Sequence, residues 1–333
     1  MAMTVRFHEY GDPEVLRIEE VPAPEPGIGE VRIRVDAIGL NRADALFRRG
    51  QYGRPVRAFP AGLGYEAAGV VEAAGPGVTT LPVGSPVSTI PAFSMTDYGV
   101  YGDTAVVPAA AVVRRPDGVD AVTGAATWMT YLTAFGGLLE GDDLRPGGTV
   151  VVTAASSGVG IAALRTARRV GARAIATTRT AAKRDQLLAA GADAVVVTGE
   201  EDLAEGVLRA TDGRGADVVF DAVGGPEAAA LPGALAPSGR IVLYGALGGA
   251  TVELPALATL RSGLTLRAYS ISAGTTTSGD TLRRATAFIT SGLADGSFRP
   301  VVDRVFDLSE IVAAHRHLES GTQVGKVVVT VRH

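Results

Sequence analysis

Residues 149–164, Thr-Val-Val-Val-Thr-Ala-Ala-Ser-Ser-Gly-Val-Gly-Ile-Ala-Ala-Leu, run an apolar β-branched strand into a turn of small residues and then into a helix. A helix that starts at the end of a strand turns its unpaired N–H groups and positive dipole end toward whatever occupies the turn, and phosphate suits that place. Gly158 and Gly160 permit close approach, and Ala163 lets the helix pack on the strand, although strict G-x-G-x-x-G is absent. The pattern predicts a dinucleotide site; a tight sheet turn without ligand is the competing reading.

The same grain repeats. Thr149–Thr153, Ala174–Thr178, Ala194–Val197, Val218–Asp221 and Ile241–Tyr244 read as strands, with helices such as Val159–Val170 and Ala181–Ala190 between them. Alternating β and α at this spacing predicts a parallel, doubly wound sheet. Before about residue 115 the chain instead alternates short strands with Pro and Gly: Val31–Val35, Gly69–Glu72, Pro86–Ile90 and Ala105–Val107. That spacing predicts a β-barrel-like unit. The tail returns to β around one helix, Ser309–Glu319. The expected class is α/β: a β domain from residues 1–120 and 290–333 hosting a doubly wound α/β domain over 121–289.

Composition narrows the function. With 31 Lys and Arg against 35 Asp and Glu, and a net charge of −4, the 333-residue chain carries no basic footprint for nucleic acid. Zero cysteines exclude disulfides, thiolate metal sites and cysteine nucleophiles, which permits a reducing compartment. Charges at Arg6, Glu9, Asp12 and Glu14 interrupt any leader-like apolar run, and Gly and Ser break the uncharged stretches 121–139 and 146–164. A cytoplasmic protein without a membrane partner is the expectation.

The second strand of the repeat selects the dinucleotide. An NAD site places an acid about 20 residues on, where it meets the ribose hydroxyls and repels a 2′-phosphate. Here Ala174–Thr178 ends without one and is followed by Arg179, Thr180, Lys183 and Arg184. A guanidinium and an ammonium suit a phosphate monoester, so NADPH is favoured over NADH. The bland alternative is that these cations only open a solvated helix.

The turn Ala155–Gly160, the segment Ala216–Gly225, the segment Gly239–Gly245 and the ending Val324-Gly-Lys-Val-Val-Val resemble the medium-chain dehydrogenase/reductase superfamily. Gly39–Tyr52 and Gly64–Val71 narrow the resemblance to its zinc-independent quinone oxidoreductase branch, over nearly the whole chain. The resemblance implies a GroES-like catalytic domain, a Rossmann cofactor domain, an active site in the cleft between them and a homodimer. It also implies that Ser156, Ser157, Gly158, Val159 and Gly160 hold the pyrophosphate, and Arg179 and Lys183 the 2′-phosphate. Thr198 would lie near the adenine; Gly245, Ala246 and Leu247 near the nicotinamide ribose; Tyr269 and Ser270 on the nicotinamide side; and Lys326 facing the cofactor. Zinc members carry Cys where this chain has Asn41 and His where it has Tyr65, before Glu66, so no metal is expected.

Without a Lewis acid, hydrogen bonds must polarise the acceptor. That suffices where hydride adds to a conjugated carbon and charge lands on an enolate or quinol oxygen. Tyr52 aligns with a tyrosine at the nicotinamide and could donate to that oxygen or only pack, while Asn41 could position ribose or substrate. Tyr65, Trp128 and Tyr131, the last two on an expected helix Ala125–Leu138, are candidate pocket walls. His315 and His317, two apart on a helix, face different ways and make a poor metal pair. The expected activity is NADPH-dependent reduction of a small-molecule quinone or α,β-unsaturated carbonyl. The alternatives are an enoyl thioester reductase of a biosynthetic pathway and an NADPH-binding protein with incidental catalysis.

Overall fold

The computed structural model describes residues 1–141 and 144–333, which divide into two compact units, 1–129 with 302–333 and 130–301. The boundaries expected at 120/121 and 289/290 fall short of these positions. Residues 121–125 stay with the first unit because they form a short helix against its sheet, where a Cβ on Gly39 would lie 1.8 Å from the Ala125 carbonyl oxygen.

In the first unit, β1 (Ala2–Arg6) and β2 (Arg17–Val21) form an antiparallel pair. β3 (Glu30–Gly39), β4 (Glu66–Ala74), β5 (Pro86–Thr89), β6 (Thr104–Pro108) and β7 (Val112–Arg114) build a larger antiparallel sheet. In–out alternation along β3 as far as Ala37, with Val31, Ile33 and Val35 fully buried, sets which face joins the core. α1 (Arg42–Arg48) follows β3 almost directly, α2 is Ala121–Ala125, and α3 (Trp128–Leu138) leads into the second unit.

The second unit holds β8 (Thr149–Val152), α4 (Gly158–Arg169), β9 (Arg173–Thr178), α5 (Arg184–Ala190), β10 (Ala194–Val197), α6 (Leu203–Ala210), β11 (Ala216–Asp221), α7 (Leu231–Ala234), β12 (Leu235–Leu243), α8 (Ala256–Ser262), β13 (Thr265–Ala268) and α9 (Gly279–Ala294). Its six strands are all parallel in the order β10-β9-β8-β11-β12-β13. Counted from β8, that order is 3-2-1-4-5-6, the Rossmann arrangement, with the strand order reversing beside β8. Buried Val151, Ile175, Val219 and Ile241 share one core cluster, as expected for a sheet covered on both faces.

The chain returns to the first unit as β14 (Val302–Asp307), α10 (Ile311–Ser320) and β15 (Lys326–Thr330). β15 pairs antiparallel with the last residues of β3, Gly39 lying opposite Val328. The early half of β3 pairs with β6 instead.

Three elements depart from the sequence reading. β2 and β13 are short strands without apolar alternation, β2 half-buried and β13 mostly exposed. The helix expected over Ala125–Leu138 starts only at Trp128: Ala125 ends α2, and Ala126 and Thr127 separate the two helices. The second starts where a Glu66 carboxylate oxygen accepts the Met129 amide at 3.0 Å, and a carboxylate there complements the dipole.

Candidate functional site

In the first unit the pairing of β3 decides which side chains meet. Its last residue, Gly39, lies opposite Glu66 of β4 on one side and Val328 of β15 on the other. The start of β4, the start of β15 and the residues just past β3 therefore converge. Lys326 Nζ donates to Leu40 O at 2.9 Å, Asn41 Oδ1 at 2.8 Å and Glu66 Oε2 at 2.7 Å. Asn41 Nδ2 donates to Gly39 O at 3.0 Å and Glu66 Oε2 at 3.3 Å. All three side chains are buried. The ammonium and amide donors thus have internal acceptors, which makes a buried ion pair tolerable. Lys326, expected to face a cofactor, is 4 % exposed and donates to three internal acceptors.

Below this node lies Asp44, three residues after Asn41 and fully buried. Its Oδ2 accepts from the Asn41 amide at 2.8 Å and the Tyr101 hydroxyl at 2.9 Å. α1 then carries the chain to Tyr52, which hangs from the helix end through Gly50 N to Phe47 O and Gln51 N to Leu46 O. The Tyr52 ring stands edge-on to Phe47, and the Tyr65 hydroxyl donates to the Tyr52 hydroxyl at 3.5 Å. Phe93 continues the aromatic row beyond Tyr65, with ring centroids 5.5 Å apart. Burial pushes both phenols above the ordinary tyrosine range, so each keeps its proton at neutral pH.

In the second unit the loops after β8 and β11 face each other at the point where strand order reverses. The Thr153 hydroxyl donates to Asp221 Oδ1 at 2.6 Å and accepts the Ala222 amide at 2.9 Å. Asp221 also takes the amides of Val223 and Gly224, which folds the second loop around one buried carboxylate. This Thr153–Asp221 tie did not stand out in sequence, because its partners are 68 residues apart.

Ser157 caps α4, its Oγ accepting the Gly160 amide at 3.0 Å. Gly158 and Val159 have no carbonyl a turn earlier in the helix, so their amides sit at its positive end, and no acid occupies the first turn. A Cβ on Gly160 would lie 2.5 Å from the Ala155 carbonyl oxygen, so only Gly lets the helix start this close to the turn. Lys183 Nζ reaches Ser156 Oγ at 3.1 Å, and exposed Arg179 follows the end of β9. Thr198 donates through its amide and its hydroxyl to the Thr178 carbonyl, which aligns the ends of β9 and β10.

The remaining candidates divide. Gly245, Ala246 and Leu247 follow β12, and the Leu247 amide bonds Ala222 O at 3.1 Å, beside the Asp221 loop. Tyr269 and Ser270 lie just past β13. The Tyr269 hydroxyl is taken up by Thr275 at 2.7 Å, while Ser270 pairs with Ser272. Trp128 and Tyr131, expected as pocket walls, are each only 1 % exposed. Tyr131 packs on Phe298 with centroids 4.4 Å apart and belongs to the core, because α3 buries that face. Among the described residues, no group of three or more His, Cys, Asp or Glu could hold a metal ion, and no helix is long and apolar enough to cross a membrane.

Residues 27–117 match the alcohol dehydrogenase GroES-like domain family and residues 190–329 the zinc-binding dehydrogenase family. A quinone oxidoreductase of Pseudomonas aeruginosa is 33 % identical over 330 residues, 99 % of each chain. A 2-haloacrylate reductase of Burkholderia sp. is 29 % identical over 334 residues, again 99 % of each. The crystal structure of Escherichia coli quinone oxidoreductase complexed with NADPH superposes with a TM-score of 0.89 at 29 % identity, covering 99 % of this chain and 100 % of that one. The chain belongs to the medium-chain dehydrogenase/reductase superfamily, in its quinone oxidoreductase-like part.

Proposed function

We propose that this protein is an NADPH-dependent reductase of quinones or α,β-unsaturated carbonyls that works without zinc, with Tyr52 donating to the acceptor oxygen. The observation that carries the reading is the internal ion pair of the first unit. Asn41 and Glu66 stand where zinc members of the superfamily hold metal ligands or flank them, and here both are engaged by the Lys326 ammonium. With no thiolate and no imidazole beside them, the donor set does not fit a tetrahedral zinc site.

The residues of the second unit fit NADPH. The amides of Gly158 and Val159 and the Ser157 hydroxyl suit a pyrophosphate, and Gly160 keeps the approach open. Arg179 and Lys183, with no acid at the end of β9, suit the 2′-phosphate. NADPH, when bound, supplies a hydride. As hydride reaches the conjugated carbon of the acceptor, the electron pair moves to oxygen, and a positioned donor lowers the energy of that oxyanion. Tyr52 is such a donor: burial keeps it protonated, and Tyr65 donates to it, so its own proton is left for the acceptor. Two relatives, a quinone oxidoreductase and a 2-haloacrylate reductase, are named for conjugated acceptors, which supports this class.

We place the protein in the cytoplasm, a compartment that its lack of cysteine permits, and as a homodimer on the edge strand β13 with exposed Leu257 and Leu260 nearby. Sedimentation of wild type against Leu257→Glu/Leu260→Glu tests the latter. The reductase reading is tested by following nicotinamide absorbance with NADPH or NADH against a panel of quinones, enones and enoyl thioesters. NADPH-selective oxidation by quinones or enones supports it. Turnover confined to enoyl thioesters, or tight NADPH binding without turnover, overturns it.

A further inference from the structure

Asp44 is a fully buried carboxyl that the reaction as described does not use. Its Oδ2 has two donors, the Asn41 amide and the Tyr101 hydroxyl, whereas its Oδ1 is sealed from solvent without a hydrogen-bond partner. A helix cap needs only the satisfied oxygen, and asparagine could provide it. An orphan carboxylate oxygen in the interior is costly, so the site is poised between a charged and a neutral form.

The charges around it do not cancel. Lys326, on β15, is taken by Glu66 of β4, which leaves Asp44 as surplus negative charge. Tyr101 faces it from the segment before β6; the Tyr101 ring meets His315 of α10, and Arg48 of α1, paired with Glu319, acts on the same hydroxyl. Tyr52 and Tyr65 complete the ring of titratable groups, and the charge of Asp44 makes both phenols harder to ionise. Burial raises Asp44 itself to about 7, against the pull of its two hydrogen bonds and of Lys326.

We propose that Asp44 is a positioning residue for Tyr52: its carboxyl fixes the start of the helix from which Tyr52 hangs, and its charge state governs how readily Tyr52 releases a proton. The inference rests on the reading of Tyr52 as donor. The proton leaves Tyr52 Oη for the acceptor oxygen and is replaced from water. Neutral Asp44 favours this step, and ionised Asp44 opposes it.

The test is the pH dependence of NADPH oxidation, from about pH 5.5 to 8.5, with 1,4-benzoquinone and 2-cyclohexenone as acceptors. It compares the full-length wild type, Asp44→Asn, Tyr101→Phe and Tyr52→Phe, with circular dichroism as the check on folding. The wild-type rate is expected to fall severalfold as pH rises through about 7. Asp44→Asn should hold the acid-limb rate across the range. Tyr101→Phe removes a bond to the charged form and should move the inflection to higher pH. An unchanged profile in Asp44→Asn overturns the inference; if that variant does not fold, an unmoved inflection in Tyr101→Phe does so. Rates unchanged in Tyr52→Phe, or no turnover with either acceptor, overturn instead the reading of Tyr52 on which it stands.

Discussion

Glu66 Oε2 lies 2.7 Å from Lys326 Nζ, and both groups are withdrawn from solvent. The other Glu66 oxygen accepts the amide of Met129, so the carboxylate that neutralises the ammonium also opens α3. Removing one partner strands the other as an unpaired buried charge.

Lys326→Met is therefore expected to destabilise the protein by about 3–5 kcal/mol in urea unfolding. Lys326→Met with Glu66→Gln should recover part of that loss, because no charge is left uncompensated. Equal destabilisation in the single and double variants would show that packing, not charge, dominates.

Cofactor choice is expected to reside in Arg179 and Lys183. Charge-assisted hydrogen bonds contribute roughly 1.5–3 kcal/mol each, so Arg179→Ala/Lys183→Ala should weaken NADPH binding at least about tenfold. NADH, which lacks the 2′-phosphate, should bind as before. A fluorescence titration with both nucleotides checks this, and an equal loss for the two would remove the 2′-phosphate assignment.

Much of this could be read in the sequence. The parallel sheet declares itself because its strands are unbroken β-branched runs ending in small-residue turns, and the cap at Ser157 lies in the same segment. Asn41 and Lys326 were both candidates, yet their contact depends on β3 pairing with a strand 285 residues away, which no local pattern carries. The interruption before Trp128 was hidden for the same reason, since the group that caps α3 comes from β4. Trp128 and Tyr131, candidate pocket walls, are each 1 % exposed, and aromatic residues on a helix read alike in sequence whether they face ligand or core. β2 and β13 were missed because neither carries the apolar alternation by which a strand is recognised.

Acid should weaken the fold through His315. Burial and the Arg48 guanidinium push its imidazole down to about 3. The folded value lies below the unfolded one of roughly 6.5, so the unfolded chain takes up the proton first. The stability that neutral His315 provides is complete above about pH 6.5 and is lost as pH falls toward 3. Asp44, raised to about 7, works in the opposite direction: its folded form holds the proton more tightly, so it adds stability as pH falls from 7 toward its unfolded value. The difference in unfolding free energy between wild type and His315→Gln isolates the histidine. It should shrink by about 2 kcal/mol between roughly pH 7 and pH 5, and a constant difference would contradict the burial argument.

Hydride delivery to a conjugated acceptor without a metal is decided by assay of chelator-treated protein. NADPH oxidation should be followed with 1,4-benzoquinone and with a simple ketone, before and after addition of zinc. NADPH-selective turnover of the quinone that zinc leaves unchanged is expected, with little activity on the ketone and a loss of about a hundredfold in Tyr52→Phe for acceptors that need a proton. Activity that appears only with zinc, on simple ketones or alcohols, would contradict it.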